Sequence, residues 1–224
     1  GPLRALDRIT NPLVLEYFLQ RPPPAPHFSN PSKNEEKIAF VDGLNRFDPY
    51  GISKRAVGHR LSPQGALNSI MVSRAFTWAQ MVEILQMKVE TLPNVGLIFV
   101  SGFNRHMPQA VEQEGWSKVW KDLKKAFGGI NRARQRNDPA VVLTCSRHPK
   151  SSLKPLGGKQ LTHYANVIVN VQITDRKIRL VLQQHPFLPA RTLEVKVPAI
   201  ARASAKYKRK AQVKGQYKKM DEFL

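Results

Sequence analysis

Four short apolar runs, separated by stretches with helical patterning, constrain the fold of this chain more than any other feature. They are Ile38–Asp42, Ile70–Phe76, Val95–Val100 and Ala140–Cys145. Runs of this length, bounded by charged or turn residues, suit strands buried on both faces, as in a parallel sheet. Parallel neighbours need long crossovers, and the intervening segments supply them. Trp78 to Lys88 reads as an amphipathic helix behind a Thr77 cap. Residues 51–68 alternate basic and small apolar residues at helical spacing. The longest helical pattern, 109–135, sets Val111, Trp116, Val119, Trp120, Leu123 and Phe127 on a predicted apolar face.

Beyond the fourth run the pattern changes. Val167 to Ile173 and Ile178 to Gln183 alternate, and the short Thr174-Asp175-Arg176 turn between them predicts an antiparallel hairpin. The sum is an α/β fold with a mostly parallel central sheet flanked by helices and a C-terminal antiparallel hairpin. The ends differ in character. Leu13, Leu15, Phe18 and Leu19 fit either a short strand or a helical turn, and Pro22, Pro23, Pro24, Pro26 and Pro31 make 20–37 an extended connector. From Ala201 onward Lys and Arg replace the apolar residues. The expected divisions are an N-terminal segment and connector over 1–37, a core over 38–198 and a basic tail over 199–224.

The charge points to a polyanionic partner. With 36 Lys and Arg against 16 Asp and Glu in 224 residues, the formal net charge is +20, a field that concentrates nucleic acid near the surface. The lone Cys145 excludes an internal disulfide framework and a cysteine-built zinc site. No run approaches a membrane span and the start lacks a signal-peptide pattern, so a soluble intracellular protein with no membrane partner is expected. That would place it in the cytoplasm with the nucleoid in a prokaryote, or in the nucleus of a eukaryote. Gly1-Pro2, without an initiating Met, has the look of a tag-cleavage scar.

Catalytic patterns are sparse. His27, His59, His106, His148, His163 and His185 show no metal-binding spacing, and no nucleophile elbow is present. Asp42 and Asp48 are a conceivable carboxylate pair for metal-assisted hydrolysis, but their places fit better a strand end and a cap before Pro49. Cations are abundant instead. The polar side of the long helical pattern carries Lys118, Lys121, Lys124, Lys125, Arg132, Arg134 and Arg136, and the tail carries Arg202, Lys206, Lys208, Arg209, Lys210, Lys214, Lys218 and Lys219. These residues are candidate phosphate contacts, largely indifferent to base sequence.

The segment Lys154-Pro155-Leu156-Gly157-Gly158-Lys159, then His163, a valine-rich run, Lys177-Ile178-Arg179-Leu180-Val181 and His185-Pro186-Phe187-Leu188-Pro189, resembles the stretch after the second DNA-binding loop of RecA/RadA-type recombinases. Phe40 to Pro49 resembles the family strand that carries the catalytic Glu, Val72 to Gln80 the next strand and helix start, Gly96 to Gly102 the Walker B strand, and Ala140 to Ser146 the strand ending in the nucleotide-sensing Gln. The similar blocks span 38–195. The resemblance implies a RecA-like fold and two DNA-binding loops, Phe103 to Gln113 and Arg147 to Gly158. The first would offer Arg105 and His106 beside Phe103 for phosphate contact and stacking, and the second Arg147, His148, Lys150 and Lys154, with Lys159 following. His163 sits where the family carries a His in a structural role.

The motor residues of that family are missing. Gly-x-x-x-x-Gly-Lys-Ser/Thr does not occur in the sequence, and the family's catalytic Glu falls on Leu44, its Walker B Asp on Ser101 and its Gln on Ser146. Phosphoryl transfer needs a phosphate cradle, a magnesium ligand and a group that orients water. The resemblance therefore implies an inactive ATPase with no cofactor, a DNA-binding protein that assists recombination or repair. The alternative is an interaction subunit docking on an active recombinase or a sliding clamp. The final Met-x-x-Phe-Leu, through Met220, Phe223 and Leu224, resembles the peptides that dock on such clamps, although Tyr217 stands where they carry Gln.

Overall fold

The computed structural model describes residues 13–14, 16–17, 20, 36–148, 150–151, 154–174 and 177–196. The chain divides into two compact units, Gly1–Leu161 and Thr162–Leu224. The proline-rich connector, the basic tail and the clamp-like terminus lie outside the described residues.

The first unit is built on a parallel sheet of order β2-β1-β3-β4, with β1 (Lys37–Asp42), β2 (Ile70–Arg74), β3 (Val95–Ser101) and β4 (Ala140–Leu143). Each predicted run supplies one strand. Side chains alternate across the sheet, so the central strand feeds two cores. Ile38 and Phe40 face one layer with Leu97, Phe99, Ile52, Ala56, Ala66 and Val14. Ala39 and Val41 face the other with Ile98, Val100, Met81, Leu85, Leu123, Phe127 and Ile130. Phe40 and Phe99 pair across neighbouring strands and stack at 5.2 Å with planes 7° apart. Burying a side chain of that size is worth about 1.5–3 kcal/mol, so this register is strongly held.

Helices enter where the sequence provides caps. The stretch 51–68 forms two helices: α1 (Pro49–Gly58), where Asp48 accepts from the Gly51 amide at 2.9 Å, and α2 (Pro63–Asn68), where Ser62 accepts from Gly65 at 3.1 Å. Both have Pro at the first helical position, which lacks only a donor that would have been unpaired there. Thr77 caps α3 (Trp78–Glu83) through the Gln80 amide at 3.2 Å, as predicted. A π turn over Ile84–Lys88 and the short α4 (Val89–Thr91) continue it. The long helix α5 (Met107–Asn137) is broken by non-helical Gly115 at φ 78° and ψ 163°. Of the N-terminal stretch, Leu13, Val14, Glu16, Tyr17 and Gln20 are helical, and Tyr17 donates to Glu36 at 2.6 Å.

A short helix, α6 (Gly158–His163), follows. The second unit contains a three-stranded antiparallel sheet of order β5-β6-β7, with β5 (Ile168–Ile173), β6 (Lys177–Gln184) and β7 (Arg191–Lys196). The expected hairpin is therefore part of a sheet with one more strand. The missed strand had a signal, because Thr192-Leu193-Glu194-Val195-Lys196 alternates. Its register gathers Val169, Val171, Ile173, Leu182, Leu180, Ile178, Leu193 and Val195 on one face. The opposite face is polar, and there Glu194 meets Lys177 at 2.8 Å and Arg179 at 3.6 Å. The Lys177 contact holds the Glu194 carboxyl below its ordinary pKa.

Candidate nucleic-acid interface

The carboxyl ends of β1, β3 and β4 meet in a tightly bonded cluster. Asp42, 1% exposed, accepts from the amide of Leu44 at 3.1 Å through one carboxylate oxygen, and from those of Arg46 and Phe47, both at 2.7 Å, through the other. The carboxylate thus folds the turn after β1. Gly43 donates to the Ser101 carbonyl at 2.8 Å, and Gly102 donates to the Thr144 hydroxyl at 2.8 Å. The Leu44 side chain lies over Gly102 so closely that a Cβ there would stand 2.5 Å from Leu44 Cγ. Crevices at the carboxyl ends of strands are the ordinary ligand sites of open α/β sheets. Here that place holds an aliphatic side chain, a buried serine and a carboxylate that already accepts three backbone amides.

The segments that resemble the two DNA-binding loops adjoin this cluster. Much of the first is helix, because α5 starts at Met107 and leaves Gly102–His106 as the turn. Phe103 is not available for the stacking expected of it. Phe103 is wholly buried, packed edge-on to Trp78 and tilted against Phe127, both at 5.6 Å, so no base can reach it. Arg105 is exposed, whereas His106 is partly buried and bonds the Gly43 carbonyl at 3.2 Å.

The second loop is internally bonded. Arg147 bridges to Pro155, the His148 amide donates to the Lys154 carbonyl at 2.9 Å, and the Lys154 amide donates to Ser151 Oγ at 3.2 Å. Gly157 and Gly158 take φ of 107° and 64°, which L side chains rarely adopt; the pair makes the turn into α6. Exposed Arg147, His148, Lys150 and Lys154 ring the loop, with exposed Lys159 on α6. Asn104, 0% exposed, joins the two segments: its amide nitrogen donates to the carbonyls of Ser146 at 3.0 Å and Leu156 at 2.8 Å, and its oxygen accepts from the Ser146 amide at 2.7 Å. The sequence drew no attention to Asn104, one polar residue among several in a strand-to-helix turn.

The cations of α5 divide into two groups. Lys118 and Lys125 hold the nearly buried Asp122 at 2.6 Å and 3.4 Å, and the Asp122 bond pushes the Lys118 ammonium pKa up. Arg132 pairs with Glu90 at 2.6 Å and donates to the Gln86 carbonyl at 2.8 Å, while Arg136 donates to the Glu90 carbonyl at 3.1 Å. These arginines satisfy carbonyls at the end of the π turn and α4, where helical partners run out. Lys121, Lys124 and Arg134 are exposed and make no such bond among the described residues.

Trp116 departs from the expected apolar face. It is 45% exposed and stacks on the partly buried Trp120, with centroids 5.3 Å apart and planes 26° apart. Gly115 breaks the helix immediately before Trp116. Cys145 lies partly buried against the apolar layer behind the sheet, and that desolvation pushes its thiol pKa to about 12. Among the described residues no group of three or more His, Cys, Asp or Glu is placed to hold a metal ion, and no helix is long and apolar enough to cross a membrane. The predicted contacts of the tail and terminus fall outside the described residues.

The chain is 25% identical over 162 residues to the DNA repair and recombination protein RadB of Pyrococcus horikoshii, a match covering 70% of this chain and 68% of that protein. Its fold superposes on the crystal structure of the RadB recombinase with a TM-score of 0.60 at 19% identity, covering 73% of this chain and 76% of the other. No protein-family model matches the chain.

Proposed function

Because this chain is a relative of the RecA/RadA recombinases and shares their fold, we propose that it is a noncatalytic, ATP-independent DNA-binding protein that assists recombination or repair. The observation that carries this reading is Leu44 lying over Gly102 beside buried Ser101. An apolar side chain cannot orient water, and a serine without charge is a poor substitute for a magnesium-binding carboxylate. Asp42 offers no replacement, since three amides occupy its oxygens. Arg105, Arg147, His148, Lys150, Lys154 and Lys159 around the Asn104 tie, with Lys121, Lys124 and Arg134 on α5, supply the phosphate contacts. The basic tail adds contacts of the same kind.

The test is affinity for a labelled oligonucleotide at several salt concentrations, beside thermal stability with and without magnesium-ATP. Tight binding that falls steeply with salt and an unmoved melting temperature are expected, since each phosphate contact on a single strand contributes about −0.7 to the log–log slope. Weak, salt-insensitive binding or stabilisation by nucleotide refutes the reading.

A second reading, a subunit that docks on an active recombinase or sliding clamp, draws support from the apolar face of the β5-β6-β7 sheet. Val169, Leu193 and Val195 there are 48%, 59% and 47% exposed, and isolated aliphatic faces of this kind are frequent interaction sites. Leu193→Glu separates the readings: lost capture of a recombinase or clamp with retained DNA binding favours docking through this face.

A further inference from the structure

One side of α5 combines an aromatic platform with Lys124, an exposed cation that makes no bond among the described residues. Residues at i, i+4 and i+8 lie toward one side of a helix. Trp116, Trp120 and Lys124 are so related, whereas Leu123 and Phe127, which take the direction of Trp116 farther along, are buried in the core. Trp120 is rooted in the core layer beneath, which fixes its ring, and Trp116 stacks on it with nearly half its surface in solvent. The break at Gly115 makes Trp116 the first residue of the second helical segment. Glu114, two residues before Trp116, is countered by Lys118 at 3.7 Å.

We propose that Trp116, backed by Trp120, is a stacking platform for an unpaired base of single-stranded nucleic acid, with Lys124 holding the adjoining phosphate. The platform rests on the DNA-binding reading and deepens it, naming unpaired bases as what the helix recognises. The chemistry is specific to bases. Any base offers a π face to an exposed indole, and the Lys124 ammonium accepts a neighbouring phosphate. A buried pair of indoles would serve packing alone, and an exposed indole without free cations would suit an apolar partner better. Charge complementarity at +20 decides for the polyanion.

The indole fluorescence gives a direct test, because Trp78, the third tryptophan, is 4% exposed and insulated from solvent. The full chain is titrated with oligothymidine, with an abasic oligomer of equal length and with a duplex, following binding by anisotropy and emission in parallel. Oligothymidine should quench the emission, while the abasic oligomer should bind with a similar salt dependence and leave it unchanged. Trp116→Leu should weaken oligothymidine binding about 5- to 150-fold and spare the abasic oligomer. Trp116→Phe, which keeps a ring, should lose less, and circular dichroism of both variants verifies the fold. Binding of oligothymidine without quenching, or with equal affinity in Trp116→Leu, overturns the platform and leaves the DNA-binding reading intact. If Trp116→Leu changes only the sedimentation of the chain, Trp116 is a protein contact and the platform is wrong. Failure to bind any oligomer overturns both.

Discussion

Asn104 and Ser146 hold each other through reciprocal hydrogen bonds, the Ser146 amide donating to Asn104 Oδ1 at 2.7 Å and Asn104 Nδ2 donating to the Ser146 carbonyl at 3.0 Å. The pair mimics one rung of a β ladder, made by a side chain where the strand has ended. Since Arg105 and Arg147 are their chain neighbours, the bond that closes the strand ends also sets the spacing of two exposed cations. Local packing and the candidate interface are therefore one arrangement.

Removing the Asn104 amide should cost stability out of proportion to its size. Asn104→Ala leaves the Ser146 amide and two carbonyls without their partner in a buried site, a loss of about 2–4 kcal/mol. Asn104→Asp keeps the acceptor but sets a carboxylate against the carbonyls of Ser146 and Leu156. Its deficit should shrink as the pH falls from 7 to 5, because protonation restores a donor. Urea unfolding at both pH values measures this. A deficit under about 1 kcal/mol for the Ala variant contradicts the latch.

The cations of α5 should separate cleanly by role. Arg132→Ala strips the Gln86 carbonyl and Glu90 of their partner and should cost about 1 kcal/mol, discounted for solvent at a site 47% exposed. Lys124→Ala should leave stability within about 0.5 kcal/mol and reduce the salt slope of oligonucleotide binding by about 0.7. Denaturation and salt titration of the two variants decide it. Equal salt slopes for Lys124→Ala and the parent exclude Lys124 from the interface.

The first sheet was legible because its strands are continuous apolar runs, a pattern that needs no tertiary information, and Thr77 and Asp48 announced their helix starts. The role of Asp42 at a strand end was legible for the same local reason. What the sequence concealed depends on neighbours distant along the chain. The burial of Phe103 requires Trp78 and Phe127, and the service of Arg132 as a carbonyl partner requires a π turn more than forty residues away. Trp116 shares the helical direction of buried Leu123 and Phe127, so periodicity alone gave no sign that it would be 45% exposed.

Cys145 should behave as an inert thiol while the chain is folded. With its pKa raised from 9.0 to about 12 by desolvation, thiolate at pH 8 is about 1,000-fold scarcer than in an unfolded chain. Alkylation should be slower by a similar factor and recover in denaturant. Above pH 9 the unfolded chain releases a proton that the native one keeps, so this group's contribution falls as pH rises toward 12. Rapid alkylation of the native chain at pH 8 contradicts such an environment.

Two adjacent glycines in α5 should respond oppositely to the same methyl group. A Cβ on Gly129 would press on the Leu85 carbonyl and stand 2.5 Å from Gln86 Cα, both backbone atoms of the π turn, whereas one on Gly128 would meet only Arg132 Nη1 at 3.5 Å. Backbone cannot rotate away, so Gly129→Ala must push α5 off the π turn and disturb the Arg132 contacts as well. The expected cost is about 3 kcal/mol. Gly128→Ala meets ordinary van der Waals contact and gains helix propensity, a stabilisation of about 0.5–1 kcal/mol. Urea midpoints moving in opposite directions support the close helix crossing at Gly129. Two variants shifting together would mean that α5 and the π turn are not in backbone contact there.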